Sequence, residues 1–162
     1  MRVRLESCHA SATEFRPPAV ATALDTLVGV RELDRPEAII AILRRDDRIL
    51  VIRRGPQTRR CGYWAPLSGT IEPGESQEMT LVREVREEVG LLARPVAKVW
   101  ECDTDDGLYL LHWWLADVEP GEMTLEPREV SEARWIRPED FLQLEPTFEK
   151  DREFFERVLP GL

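Results

Sequence analysis

The chain has 162 residues, 31 acidic and 22 basic, for a formal net charge of −9; 43% of it is hydrophobic and 33% charged. A length within about 100–200 residues fits one domain with its own core, with no need of disulfides or structural metal. The acidic surplus excludes a protein built to coat nucleic acid, which requires a basic face, but not one that binds a small anion where metal ions or an arginine cluster reverse the local sign.

Residues 1–36 form a segment apart. After Pro17-Pro18, the stretch Ala19–Leu33 places Val20, Ala23, Leu24, Leu27 and Val28 at helical spacing. This predicts a short helix in an N-terminal extension, read as a packing or dimer-contact arm that ends at Pro36. A domain over residues 37–162 is expected to follow. Ala38–Leu43 and Ile49–Ile52 are compact apolar runs around the charged turn Arg44–Arg48, which predicts a hairpin of two buried strands. Arg53 and Arg54 close the second strand, and a loop over Gly55–Gly62 carries Arg59 and Arg60.

Trp64–Ile71 is expected to be a short strand and Glu72–Ser76 a turn. A helix is predicted over Gln77–Val89, with Ser76 to start it and Gly90 to stop it. Val96–Cys102 and Leu108–Val118 read as strands around Asp103–Gly107, and Ala133–Ile136 as another. Helical turns are expected over Pro138–Leu144, opened by proline, and over Phe148–Val158, which is amphipathic through Phe154, Phe155, Val158 and Leu159. This order predicts an α/β fold of the α+β kind, a mixed sheet covered by helices.

The three cysteines, Cys8, Cys61 and Cys102, are widely spaced, with no Cys-x-x-Cys pair, and His9 and His112 are the only histidines, so no zinc pattern forms. Free thiols in a reducing compartment are expected. No apolar run nears the ~20 residues of a membrane span, and Met1–Glu6 lacks the apolar stretch of a signal peptide. These features predict a cytoplasmic protein without a membrane partner.

The chemistry concentrates on the predicted helix. Glu84, Glu87 and Glu88 stand at i, i+3 and i+4 and share a face, while Val82, Val85 and Val89 share the adjoining one, expected to dock on the sheet. Three stacked carboxylates repel, and a cation offsets that repulsion; a solvated acidic face is the other reading. Oxygen donors without nearby His or Cys favour Mg²⁺ or Mn²⁺ over Zn²⁺. Glu75 lies where the positive end of the helix dipole favours a carboxylate, and Arg83 is placed to tie Glu75 or Glu87.

This stretch resembles the signature of the Nudix hydrolase family. Its nine fixed positions, spread over 23 residues, are filled by Gly69, Glu75, Arg83, Glu84, Val85, Glu87, Glu88, Gly90 and Leu91. The likeness extends loosely over residues 37–145. It implies a Nudix-type α/β/α sandwich and Mg²⁺-dependent cleavage (Mn²⁺ as substitute) of a nucleoside diphosphate linked to another moiety. Water attacks one phosphorus, with a carboxylate taking its proton. By position, Glu87 and Glu88 resemble metal ligands, Glu84 a ligand or the general base, and Glu75 with Arg83 a brace. A further acid is expected six residues before an aromatic strand residue, which gives Glu129 before Trp135. Where many members have Pro-Gly-Gly, this chain has Leu67-Ser68-Gly69, so Ser68 supplies the carbonyl expected to face metal without a glycine's freedom.

Arg53, Arg54, Arg59 and Arg60 are candidates for phosphate contacts or solvated loop charge. Trp64, Trp100, Trp113 and Trp114 are candidates for base stacking, though aromatic strand residues are usually core, and Trp135 is read as core. Tyr109, 18 residues after Leu91, resembles a tyrosine of members that act on dinucleoside polyphosphates. The expected partner is a small nucleotide-type phosphate substrate, not a nucleic acid; a homodimer is left open. A catalytically silent Nudix-fold nucleotide-binding or regulatory module is the alternative, but such a module is expected to lose glutamates that are all present here.

Overall fold

In a computed structural model, which describes residues 35–162, the two apolar runs form β1 (Glu37–Arg45) and β2 (Arg48–Arg54), an antiparallel hairpin. The helix expected over Ala19–Leu33 and its arm role lie outside the described residues. The strand expected over Trp64–Ile71 is two strands, β3 (Trp64–Ala65) and β4 (Leu67–Thr70). Pro66 separates them because it has no N–H to donate to a ladder. β3 pairs with β2 and β4 with β1.

The helix α1 (Gln77–Val89) has the predicted bounds: the Ser76 side chain accepts from the Met79 N–H, and Gly90, at φ 70°, ends it in the left-handed conformation. β5 (Ala93–Asp103), β6 (Leu110–Val118) and β7 (Val130–Ile136) follow. β6 begins after the expected Leu108 because Leu108 and Tyr109 donate their N–H groups to Asp106 and Thr104 of the turn instead of to a neighbouring strand. β6 runs parallel to β1 from Glu37↔Leu110 to Arg44↔Asp117, so the sheet is mixed, in the order β3-β2-β1-β6-β5 with β4 on β1 and β7 on β2. Among the described residues β5 pairs with β6 alone, and two register shifts, at Pro95/Ala97 and Lys98/Trp100, interrupt it.

Both faces of the sheet are covered, which is why β1 reads as a continuous apolar run and not as an alternation. Ile39, Ala41, Leu43, Leu50 and Ile52 pack with Leu81, Val85 and Val89 of α1. Ala38, Ile40, Ile42, Ile49 and Val51 pack on the other face with Trp113, Phe141, Phe154 and Phe155. Trp113 stacks on Phe154 with ring centroids 4.4 Å apart. Each fully buried side chain of this kind contributes about 1.5–3 kcal/mol.

The helix expected over Phe148–Val158 is regular only in α2 (Glu149–Glu153), then widens to π-type turns over Phe154–Val158. The wider turn accompanies the burial of two adjacent rings, Phe154 and Phe155, which a regular helix points about 100° apart. None of the described helices is long and apolar enough to cross a membrane.

Candidate active site

The packing of α1 divides its acidic face. Leu81, Val85 and Val89 form the buried stripe, not Val82, which is 37% exposed. The expected docking role of Val82 is thus corrected: Leu81, one turn before Val85, fills that place and turns Val82 outward. Glu88, beside Val89, is drawn in to 6% exposure. The Glu84 side chain is 13% exposed and that of Glu87 61%, so Glu84 and Glu88 enter the protein while Glu87 remains at the rim.

Arg83 holds this arrangement. It donates to Glu75 Oε1 and Oε2, both at 2.8 Å, to Glu84 Oε1 at 2.7 Å, to Glu87 Oε2 at 3.3 Å and to the Thr70 carbonyl at 3.2 Å. Thr80 donates to Glu75 at 2.8 Å. The bidentate Arg83 bonds, then Thr80, hold the Glu75 carboxyl down at about 2. Burial pushes Glu84 up against the pull of Arg83. Burial first, then the charges of Glu84 and Glu129, pushes Glu88 up to about 8.

Glu84 and Glu88 line one wall of a cleft of about 890 Å³, with Ser68, Gly69 and Glu129. Arg54 reaches it from the end of β2, donating to the Ser68 hydroxyl at 3.3 Å and to the Arg59 carbonyl at 2.9 Å; its burial lowers its pKa. Arg59, Arg60 and Tyr109 also line the cleft. Arg53 is the expected substrate contact that does not: Arg53 and Arg54 are adjacent on a strand and point apart, and Arg53 instead donates to the Gly62 carbonyl at 3.3 Å. Glu75, Arg83 and Glu87 are not among the lining residues but brace those that are. The tryptophans are outside the lining too; Trp64 and Trp113 are buried, and Trp100, Trp114 and Trp135 pack on the two cores.

The facing wall was not foreseen. It comprises Thr104, Asp105 and Asp106 of the β5–β6 turn, with Phe148, Glu149, Lys150 and Asp151 of the α2 segment. Arg59 bonds Asp106 at 3.1 Å, and the Glu149 N–H donates to Asp105 at 3.2 Å. Asp151 is 4% exposed, and its Oδ2 has no hydrogen-bond partner. Burial first, then the charge of Asp105, pushes its pKa well above the ordinary aspartate range, against the pull of Arg54. The sequence did hold a signal: Asp151 precedes Phe154, Phe155 and Val158 by three, four and seven residues, a lone carboxylate on an apolar stripe.

The donor set suits a hard divalent cation. Glu88 Oε2 is buried without a hydrogen-bond partner, a position a cation relieves. A Cβ on Gly69 would collide with the Glu84 side chain, so the glycine leaves that carboxylate its place. The cleft lining has carboxylates but neither His nor Cys, a set favouring Mg²⁺ or Mn²⁺. Among the described residues no three acidic, His or Cys side chains already stand grouped around a common point, and Arg83 bonds both Glu84 and Glu87.

The family model for the NUDIX domain matches residues 34–158. The chain belongs to the Nudix hydrolase family. It is 35% identical over 107 residues to the CTP pyrophosphohydrolase of Escherichia coli K12, covering 66% of this chain and 79% of that protein. It is 34% identical over 108 residues to the NAD-capped RNA hydrolase NudC of Enterobacter sp. strain 638, covering 67% of this chain but only 41% of that protein's length. The solution structure of the E. coli ORF135 protein superposes with a TM-score of 0.62 at 32% identity, covering 78% of this chain and 89% of the other. This Nudix hydrolase thus has the α/β/α sandwich that its signature implied.

Proposed function

We propose that this Nudix hydrolase is a Mg²⁺-dependent pyrophosphohydrolase that cleaves a phosphoanhydride bond in a nucleoside diphosphate linked to another moiety, such as a nucleoside triphosphate, a nucleotide sugar or a dinucleoside polyphosphate. One observation carries the reading: Glu84, Glu88 and Glu129, brought from two separate segments, line the same cleft as Arg54. The likeness to a CTP pyrophosphohydrolase over most of that protein's length supports a nucleoside triphosphate first. Residues 37–162 are read as the hydrolase domain, residues 1–36 as an extension, and the cytoplasm as its place.

Glu87, Glu88, Glu129 and the Ser68 carbonyl are the proposed metal-holding groups, with Mn²⁺ as a substitute, and Glu84 is assigned to proton transfer. When bound, the cation polarises the phosphoryl oxygens and neutralises the leaving phosphate. Glu84 takes the proton of the attacking water, a role its burial supports by raising its proton affinity. Arg83, itself fixed by Glu75, holds the Glu84 carboxylate at one oxygen and leaves the other for that proton. Arg54 donates to the phosphate oxygens, and Tyr109 flanks the nucleoside.

The test is product release from a panel of nucleoside triphosphates, nucleotide sugars, dinucleoside polyphosphates and NAD-capped RNA, with and without Mg²⁺. Metal-dependent turnover is expected on a small nucleotide, with a loss of at least ~100-fold in Glu84→Gln. Tight nucleotide binding without turnover on any member of the panel would instead identify a silent module.

A further inference from the structure

Glu129 reaches the cleft from a turn between β6 and β7 that lies in no helix or strand, so the regular hydrogen bonds of neither can fix it. Backbone bonds from two sides do so. Toward α1, the Thr124 N–H donates to the Val89 carbonyl at 3.0 Å and the Glu126 N–H to the Glu88 carbonyl at 2.9 Å, satisfying acceptors that a helix end leaves open. Toward β2, the Gly55 N–H donates to the Glu129 carbonyl at 2.6 Å and the Gln57 N–H to the Arg128 carbonyl at 3.0 Å. Inside the turn, the Glu129 and Val130 N–H groups both donate to the Glu126 carbonyl, at 3.0 and 2.8 Å.

Gly55 is the tightest point of this clamp. It is buried, and a Cβ there would stand 2.5 Å from Arg128 O, 2.7 Å from Glu129 C and 2.8 Å from Arg128 C. All three atoms are backbone, so no flexible side chain can swing aside. Its φ is not in the positive region that favours glycine, so clearance, not conformation, requires glycine here. The residue before it is Arg54, so one contact sets the spacing between the arginine and Glu129.

We infer that Gly55 is a positioning residue: having no side chain, it lets the Arg128–Glu129 backbone lie on the end of β2, and this contact fixes where the Glu129 carboxylate stands relative to Glu88 and Arg54. The inference rests on the reading of Glu129 as a metal-site residue. Any side chain at 55 lifts the turn and moves the carboxylate off its place while both sheet cores remain packed.

The experiment compares wild type, Gly55→Ala, Glu129→Gln, the double variant and the control Gly121→Ala, whose Cβ would meet only Leu91 at an ordinary 3.7 Å. Mn²⁺ binding to the resting protein is titrated by electron paramagnetic resonance, alongside the Mg²⁺ concentration for half-maximal turnover and the urea midpoint. Gly55→Ala and Glu129→Gln are each expected to weaken Mn²⁺ binding by about 10-fold, the lower end for groups that orient metal ligands. The double variant is expected to bind no more weakly than the weaker single, since both changes act on one carboxylate, and Gly121→Ala to match wild type. Loss in Glu129→Gln with wild-type binding in Gly55→Ala would overturn the role of Gly55 alone, as would losses that multiply in the double variant. Wild-type binding in Glu129→Gln would overturn the metal-site reading of Glu129, and the role of Gly55 with it. Global unfolding of Gly55→Ala would assign Gly55 to the core and overturn the inference too.

Discussion

The two walls of the cleft are built on different plans. Along α1, Glu84 and Glu88 of the lining and Glu87 at its rim fall within five residues of one helix, and one guanidinium, Arg83, ties Glu84 and Glu87 to Glu75. Opposite, the wall joins a turn at Thr104–Asp106 to the α2 segment, bridged by a hydrogen bond between residues 44 apart. Its buried carboxylate, Asp151, has an oxygen that bonds to nothing. On the first wall Glu84 and Glu88 are set relative to one another by helix geometry, and Glu129 joins them from a turn. On the second they depend on how distant segments meet. Chemistry on the first wall and recognition on the second is the division this predicts.

The sharpest test is Glu88→Gln. Turnover is expected to fall at least ~100-fold with the circular dichroism spectrum unchanged, as for loss of a metal-holding or proton-transferring group. Asp151→Asn should do less, and differently: about a 10-fold loss in kcat/KM carried by KM, with the Mg²⁺ requirement unaltered. A kcat loss matching that of Glu88→Gln would erase the division between the walls. Asp151 also has a pH signature. Its proton affinity is raised on folding, so the stability it contributes is full below pH about 4 and is lost as pH rises through its folded value. Asp151→Asn should flatten that decline in urea melts.

Glu75→Gln has the opposite sign. The Arg83 and Thr80 bonds hold the folded Glu75 carboxyl down at about 2 against an ordinary 4.5, so its stabilisation is present above pH about 4.5 and lost as pH falls through about 2. The gap in urea midpoint between wild type and Glu75→Gln is expected to be widest at pH 7 and to narrow progressively from pH about 4.5 down to about 2. Smallest of all is Val82→Ser: an exposed position outside the stripe should change stability by no more than about 0.5 kcal/mol in a thermal melt.

What the sequence disclosed follows the same division. The α1 wall was legible because helical spacing is local: Ser76, Gly90 and the three glutamates need only the 3.6-residue period to be placed. Even there one residue slipped, since choosing Val82 over Leu81 for the buried stripe is a shift of about 100° that composition alone does not resolve. The hairpin was legible from two apolar runs, but the split at Pro66 depended on which partner each half would find. Arg53 and Arg54 were both candidates for phosphate contacts until the strand assigned them opposite sides. Asp151 and Asp105 were missed because their meeting is tertiary. Glu129 was found through the family pattern, while the clamp that holds it involves backbone atoms no residue type announces.

The outer margin of β5 has its own consequence. Among the described residues the far edge of this 11-residue strand has no partner, and such an edge is a template on which another polypeptide can continue a sheet. Here Pro95 withholds an N–H, two register breaks interrupt the ladder, and Lys98 and Glu101 form an ion pair on it. A strand arriving from solvent would find a donor missing and charge to desolvate, so fibrous stacking through this side is disfavoured at high protein concentration.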